Sequence, residues 1–326
     1  MNIRQAIKSK VLLPVRDFAL IANYWLNNYE GVIWLIGDGR SGTTWVSNLI
    51  NHDKSYREMF EPFHHQLVSD MNFLLPHQYI RPHDSNKQLE IIASNVFSGK
   101  FRNPRVDSGN QSLLYKGLLI KDIFANLFSC WVSLHFPEVK IILLIRNPFS
   151  VALSKHKLKN GLWPAEPLDL LEQYALYEDY LQPFEDIIRR TSSGGNYVLC
   201  QILMWSIINY VPLCQFKRGQ IHVIFYEDIF INPSYEVSKI FRFVRPGIEN
   251  NHINLDRESV NRPSRVAGQE SNLFRGTSPI TSWKNELSSQ QIDAGLKILQ
   301  CFGFAELYDD NSMPNWQVLN NIHKKA

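Results

Sequence analysis

Hydrophobic positions in this chain gather into a few continuous runs, with long mixed or polar stretches between them. Val32 to Ile36 is an unbroken apolar run, which reads as a buried strand. Thr43 to Ile50 follows with apolar residues at helical spacing. Ser112 to Ile120 predicts a second strand, ending at Lys121-Asp122, with a helix after it to about His135. Ile141 to Ile145 lacks alternation altogether, as expected of a parallel strand covered on both faces. Pro148 suits the first turn of a further helix, which would carry Ser154 about two turns along. Leu168 to Cys214 is helical in pattern, interrupted by Ser192-Ser193-Gly194-Gly195, and Ile221 to Phe225 is one more strand. Ser289 to Phe302 predicts the last helix that packs on the sheet. Between residues 65 and 112 the prolines and glycines (Pro76, Pro82, Gly99, Pro104, Gly109) predict loops and short helices. Strands that alternate with helices predict a three-layer α/β/α domain around a central parallel sheet, with strands near residues 32, 113, 141 and 221.

The length, 326 residues, suits one large α/β domain. The division expected is a helical extension over 1–28, a domain over 29–308 and a polar tail over 309–326. A formal charge of +3 is near neutral and implies no general nucleic-acid surface, although an anionic ligand needs only local basic residues. The cysteines Cys130, Cys200, Cys214 and Cys301 are scattered, with no C-x-x-C pair, and read as buried thiols of a reducing compartment. Arg16 and Asp17 interrupt the apolar stretch from Val11 to Leu26, and no signal peptide is recognised. Tyr197 to Phe216 is apolar enough to suggest a membrane span, but Gln201, Ser206, Asn209 and Pro212 make a buried helix the better explanation. Arg4, Lys8, Lys10 and Arg16 on an apolar background would let residues 1–28 rest on a membrane surface. The expectation is therefore a cytoplasmic protein with a peripheral membrane contact.

Between the first strand and helix stands Gly37-Asp38-Gly39-Arg40-Ser41-Gly42-Thr43-Thr44-Trp45. A strand, a glycine-rich loop and a helix start make an anion site, because the first helical N–H groups and the positive helix end face the loop. The spacing approaches the Walker A pattern, but Thr43 stands where the lysine belongs and the cation is Arg40, inside the loop. A nucleoside triphosphatase would use that lysine on the β- and γ-phosphates, so a small-molecule kinase is a weakened alternative.

Further along, Glu58-Met59-Phe60-Glu61-Pro62-Phe63-His64-His65 brings carboxylates and imidazoles shortly after the loop, as acid–base chemistry requires. Lys121 falls at the carboxyl end of its strand, where open parallel sheets bind ligands. Arg146 at a strand end and Ser154 on the following helix can converge on one phosphate. Trp205 reads as core, and Glu227 and Asp228 as the start of a helix. Residues 261–282 are rich in Arg, Ser and Gly, including Arg262, Arg265 and Arg275, and suit a loop that binds anions. No zinc-ligand spacing, H-E-x-x-H or G-x-S-x-G elbow is present.

Arg40-Ser41-Gly42-Thr43-Thr44 resembles the 5′-phosphosulfate loop of the sulfotransferases, which use 3′-phosphoadenosine 5′-phosphosulfate (PAPS) and release 3′-phosphoadenosine 5′-phosphate (PAP). Arg146 with Ser154 resembles the family's 3′-phosphate signature, and Phe60-Glu61-Pro62 followed by His64 is similar to the carbohydrate branch. Lys121-Asp122, Phe136-Pro137 and Arg146-Asn147-Pro148 are similar to the order found in tyrosylprotein sulfotransferases. The resemblance implies a P-loop NTPase-like fold and no metal. It implies Glu61 as general base with His64 as runner-up, and Lys121 and Arg40 as catalytic cations. The cofactor contacts it implies are Arg40, Ser41, Gly42, Thr43, Thr44, Trp45, Arg146, Ser154 and Tyr226, the last from the Tyr-Glu-Asp run. Ser264, Arg275 and Gly276, ahead of Trp283, match loosely the family's segment that closes on the nucleotide. One departure is Leu158, where some relatives have arginine. The acceptor implied is a carbohydrate or glycolipid hydroxyl, with a peptide tyrosine or a small alcohol left open, and a non-catalytic PAP- or phosphate-binding module remains the alternative.

Overall fold

The computed structural model describes residues 16–26, 29–158, 163, 166–247, 253, 255, 260, 278–309 and 311–325. Five parallel strands form one sheet: β1 (Val32–Gly37), β2 (Tyr56–Phe60), β3 (Gly117–Asp122), β4 (Val139–Ile145) and β5 (His222–Phe225), in the order β2-β3-β1-β4-β5. Every pairing is parallel, and β1 lies at the centre with Ile33 opposite Leu119 and Lys140.

Alternate residues of the strands go to opposite faces, as the period of two dictates. Trp34, Ile36, Ile120, Leu143 and Phe225 belong to one core, covered by the helices Lys87–Phe97, Ser129–His135, Pro148–Leu158, Tyr197–Gln215 and Ser289–Cys301. Ile33, Leu35, Leu119, Leu144 and Ile224 belong to the other, under Thr43–Ile50 and Pro233–Val244. Both faces are buried, so the predicted three layers are present. The apolar stretch at Tyr197–Gln215 is long enough to cross a membrane by length and composition, but 78% of its most apolar window is buried inside the protein. It is a core helix here.

Two differences from the sequence reading bear on the site. Tyr56–Phe60 is a strand, although Arg57 and Glu58 break its apolar pattern. These charges are buried because tertiary partners satisfy them. Arg57 pairs with Asp107 at 2.9 Å and donates to the carbonyls of Gly99 and Phe101. Glu58 accepts from the Ser47 hydroxyl at 2.8 Å. The second difference is that β3 begins at Gly117 and not near 112, which puts Lys121 and Asp122 inside its last two positions. Residues 112–116 are held otherwise: the Tyr115 N–H donates to Asn23 Oδ1 in the helical segment 16–25. The tail also has structure, since Trp316–Lys325 is a helix with Leu319 and Ile322 in the main core.

Candidate active site

The carboxyl ends of β1, β3 and β4 bring the predicted residues to one rim. The loop after β1 is tight. Gly42 has φ of +96°, in the left-handed region, and a Cβ there would come within 2.5 Å of the Tyr226 ring. A Cβ on Gly37 would meet the Leu144 carbonyl at 2.7 Å, so β4 fixes the loop from below. The Ser41 N–H and hydroxyl both turn back to the Asp38 carbonyl. Lys155, buried one residue after Ser154, places its ammonium 2.7 Å from both oxygens of the buried Asp38. That ion pair ties the loop to the helix that carries Ser154.

The first helix has no acidic residue in its first turn and no side-chain cap at Gly42. Its first helical bond runs from the Val46 N–H to the Gly42 carbonyl. The N–H groups of Thr43, Thr44 and Trp45 are therefore left without helical acceptors, at the positive end of the helix dipole. Arg40 has φ of +70° and donates from Nε to the Ser154 hydroxyl at 3.1 Å. Burial and the neighbouring Arg146 charge both lower its pKa. Arg146 donates to the Arg40 carbonyl at 3.1 Å and to the Pro279 carbonyl at 2.8 Å, and lies 4.1 Å over the Tyr226 ring. Its Nε is buried with no hydrogen-bond partner. Tyr226 packs on Trp45 at 5.3 Å, and burial raises its phenol pKa. Trp45 is itself tied by its indole N–H to the Val260 carbonyl at 3.0 Å. Two arginines, a hydroxyl and free helical N–H groups thus converge on one place, a donor set suited to phosphates.

The other half of the rim comes from β2 and β3. Lys121 Nζ lies 2.5 Å from Glu61 Oε1, and an Arg105 guanidinium nitrogen lies 2.7 Å from Oε2. Burial alone would raise the Glu61 carboxyl, but the Lys121 ammonium and the Arg105 guanidinium outweigh it and hold it below the ordinary range. Glu61 adopts φ of +54°, a strained value for a side-chain-bearing residue. Its N–H donates to the Lys121 carbonyl, and its own carbonyl accepts from Arg105. Asp122, buried between the Trp34 indole N–H and the Phe63 N–H, is pushed up to about 7 by burial and anchors the turn after Glu61.

His64 lies beside this pair, stacked on His65 at 5.2 Å. Its Nδ1 accepts the Gln66 N–H at 3.3 Å, which puts the ring proton on Nε2. Burial lowers its pKa to about 4. His64, His65 and His77 each pack their rings 5.0 Å from Phe124, and Trp163 stacks on that phenyl ring at 6.2 Å. The ring atoms His65 Nδ1, His77 Nδ1 and Trp163 Nε1 are buried with no hydrogen-bond partner. His77, Phe124, Lys155 and Trp163 line a cavity of about 40 Å³, and Trp163 lies against Gly39 of the loop.

Of the predicted residues, Arg40 to Trp45, Arg146, Ser154 and Tyr226 gather at the loop, and Glu61, His64 and Lys121 gather beside β3. Ser264, Arg275 and Gly276 lie outside the described residues. Arg105, Asp122, Lys155, Phe124 and Trp163 were missed. Among the described residues, no group of three or more His, Cys, Asp or Glu side chains is placed to hold a metal ion.

No curated protein matches the chain in sequence. Among solved structures, the chain is similar to the sulfotransferase domain from the curacin biosynthetic pathway, at 15% identity and a TM-score of 0.42, over 83% of this chain and 96% of that one. It is also similar to the sulfotransferase from Alicyclobacillus acidocaldarius, at 13% and 0.36, over 81% and 99%. A third similar structure is retinol dehydratase in complex with androsterone and the inactive cofactor PAP, at 12% and 0.34, over 89% and 88%. The family model described as "Sulfotransferase domain" matches residues 30–311, a span that holds all five strands and both halves of the rim. With that match over most of its length, the chain belongs to the sulfotransferase family.

Proposed function

We propose that this protein is a PAPS-dependent sulfotransferase whose acceptor is the hydroxyl of an uncharged carbohydrate or glycolipid, with Glu61 as general base. The observation that carries the reading is the buried Glu61–Lys121 pair beside the phosphate loop. A protein that only bound a nucleotide would need no carboxylate held at that place.

The residues present suit PAPS. Arg146, with an orphaned buried Nε, and Ser154 would hold its 3′-phosphate. The N–H groups over Ser41 to Thr44 and the Arg40 guanidinium would hold the 5′ end, with Tyr226 and Trp45 against the nucleotide. When bound, PAPS supplies the sulfuryl group, which passes to the acceptor oxygen by in-line transfer as the phosphate departs. Glu61, ionised at neutral pH, accepts the hydroxyl proton. Lys121 is its close partner and can share its positive charge with an anion at the loop; such preorganised groups typically supply a few kcal/mol each. His64 is the weaker candidate for base, because Nδ1 is engaged and Nε2 carries the proton. It suits the role of donor to the acceptor oxygen.

The acceptor reading is supported by the imidazoles around Phe124. Burial pushes His77 down to about 3 and also lowers His65, so these rings are neutral at pH 7. Neutral rings with unpartnered nitrogens favour hydroxyls over charged groups. A membrane-bound acceptor is supported by the helical segment 16–25, whose outward side exposes Phe18 and Trp25 by 72% and 77%.

The test is calorimetric titration of the wild type and Arg146→Ala with PAP, ADP and ATP, without and with magnesium. Preference for PAP, weakened by about 1–3 kcal/mol in Arg146→Ala as a charged hydrogen bond predicts, supports the reading. Tighter binding of ATP, or binding only with magnesium, would replace it with the kinase.

A further inference from the structure

Arg146 stands where β4 gives way to a helix, and the peptide unit that follows it decides where its side chain points. Both polar ends of that unit are held by side chains from other elements. The Arg146 carbonyl accepts the Trp205 indole N–H at 3.0 Å, and the Asn147 N–H donates to Glu227 Oε1 at 2.9 Å. Asn147 then caps the next helix, its Oδ1 accepting the N–H groups of Phe149 and Ser150. The strand end is therefore gripped from the helix Tyr197–Gln215 on one side and the helix Tyr226–Ile231 on the other.

Glu227 is costly to keep there. A glutamate in the first turn of a helix is ordinarily solvated, where it complements the dipole. Glu227 has no exposed surface at all, and burial pushes its carboxyl up to about 7. Its second oxygen, Oε2, is buried without a well-formed hydrogen bond, and the likewise buried Tyr308 hydroxyl lies against the same carboxyl. The charged and titratable groups that face it are Arg146 from β4, Asp228 from its own helix, and Tyr308. Turn formation alone does not explain a carboxylate placed so expensively, since an exposed residue would start the helix as well. Trp205 likewise does more than fill space, because its N–H has one acceptor and that acceptor is the Arg146 carbonyl.

We propose that Glu227 and Trp205 are positioning residues that clamp the Arg146–Asn147 peptide, and so set the aim of Arg146 at the 3′-phosphate. The proposal rests on the nucleotide reading above. It goes further in assigning the selectivity for a 3′-phosphorylated nucleotide to two buried groups that do not touch the ligand. Arg146 without the clamp keeps its charge but loses its direction, so a ligand that lacks the 3′-phosphate should hardly notice the change.

The experiment is titration of PAP and of adenosine 5′-phosphate against the wild type, Glu227→Ala, Glu227→Gln and Trp205→Phe, with a thermal melt of each. Loss of a charge-assisted bond predicts that Glu227→Ala weakens PAP about tenfold or more and adenosine 5′-phosphate less than about twofold. Glu227→Gln keeps an acceptor for the Asn147 N–H and should stay within about threefold of the wild type for PAP. Trp205→Phe should repeat the selective loss in milder form, and it decides the matter alone if Glu227→Ala does not fold. Equal loss for both ligands, no loss for PAP, or a glutamine variant as poor as the alanine one would overturn the clamp. A wild type that binds both ligands equally would instead sink the nucleotide reading, and the clamp with it.

Discussion

Arg105 is the residue through which the proposed base can be tuned without touching it. Its guanidinium bonds Glu61 Oε2 at 2.7 Å and reaches the carbonyls of Phe60 and Glu61, each at 3.2 Å. The Arg105 side chain is 28% exposed and that of Glu61 8%, so the pair is largely but not wholly shielded from water. A hydrogen bond to a charged group contributes about 1.5–3 kcal/mol, and one pH unit corresponds to about 1.4 kcal/mol. Arg105→Met should therefore raise the Glu61 carboxyl and move the acid limb of the pH–rate profile up by roughly one pH unit, the lower end of that range given the exposure. The sign follows from the charge: Arg105 favours the ionised carboxylate, and without it a proton is held to higher pH. The plateau rate should fall in the same variant, because the carbonyl bonds that help hold Glu61 at φ of +54° go too. The assay is initial-rate sulfate transfer from radiolabelled PAPS across pH 3 to 8, low enough to include the wild-type limb. An acid limb that stays where it was would show that the limb does not report Glu61, and the general-base assignment would fail with it.

Glu61→Gln should abolish transfer and leave PAP affinity within about twofold, and a variant that keeps its rate would refute the mechanism. Gly42→Ala should lose about 1–3 kcal/mol of stability in denaturant unfolding and weaken PAP, since the new methyl needs φ of +96° and meets the Tyr226 ring. Buried histidines and buried carboxylates pull the pH dependence of stability in opposite directions. His64, His77 and His222 have pKa values lowered by burial to about 4, 3 and 4, so the stability they contribute is present above the unfolded value near 6.5 and lost as pH falls. Asp122 and Glu227, raised to about 7, act oppositely and lose their contribution as pH rises from about 4 to 7. His77→Gln should therefore flatten whatever fall in stability the wild type shows between about pH 6.5 and 4.5 in chemical denaturation, and an unchanged slope would refute a buried neutral ring there.

The nucleotide half of the rim was legible in the sequence because its signals are local. β1, the glycine loop and the helix start occupy one continuous stretch, and Arg146 and Ser154 sit on a strand and helix with plain patterns. β2 was not legible, because its apolar run is broken by Arg57 and Glu58, and only partners from residues 99–110 make those charges buriable. The same long-range reasons hid Arg105, which lies 44 residues from the carboxylate it grips. Glu227 was read as a helix starter, which it is by position, for it begins the turn after Tyr226. Its burial against Asn147 depends on β4 and β5 being neighbours, which spacing along the chain does not reveal.

The strand order carries a consequence for how such a protein can change. β1 divides the sheet, with β3 and β2 on one side and β4 and β5 on the other. Lys121 and Glu61 stand on the first side, and Arg146 and Tyr226 on the second. The long connection between β2 and β3, which brings in His64, His65, His77 and Arg105, leaves from and returns to the first side. Under the proposed function, insertions, deletions and substitutions there can remodel what faces Glu61 without altering the sequence of the loop after β1 or of the end of β4. New acceptors are thus within reach of drift in one connection, with no need to rebuild recognition of the donor.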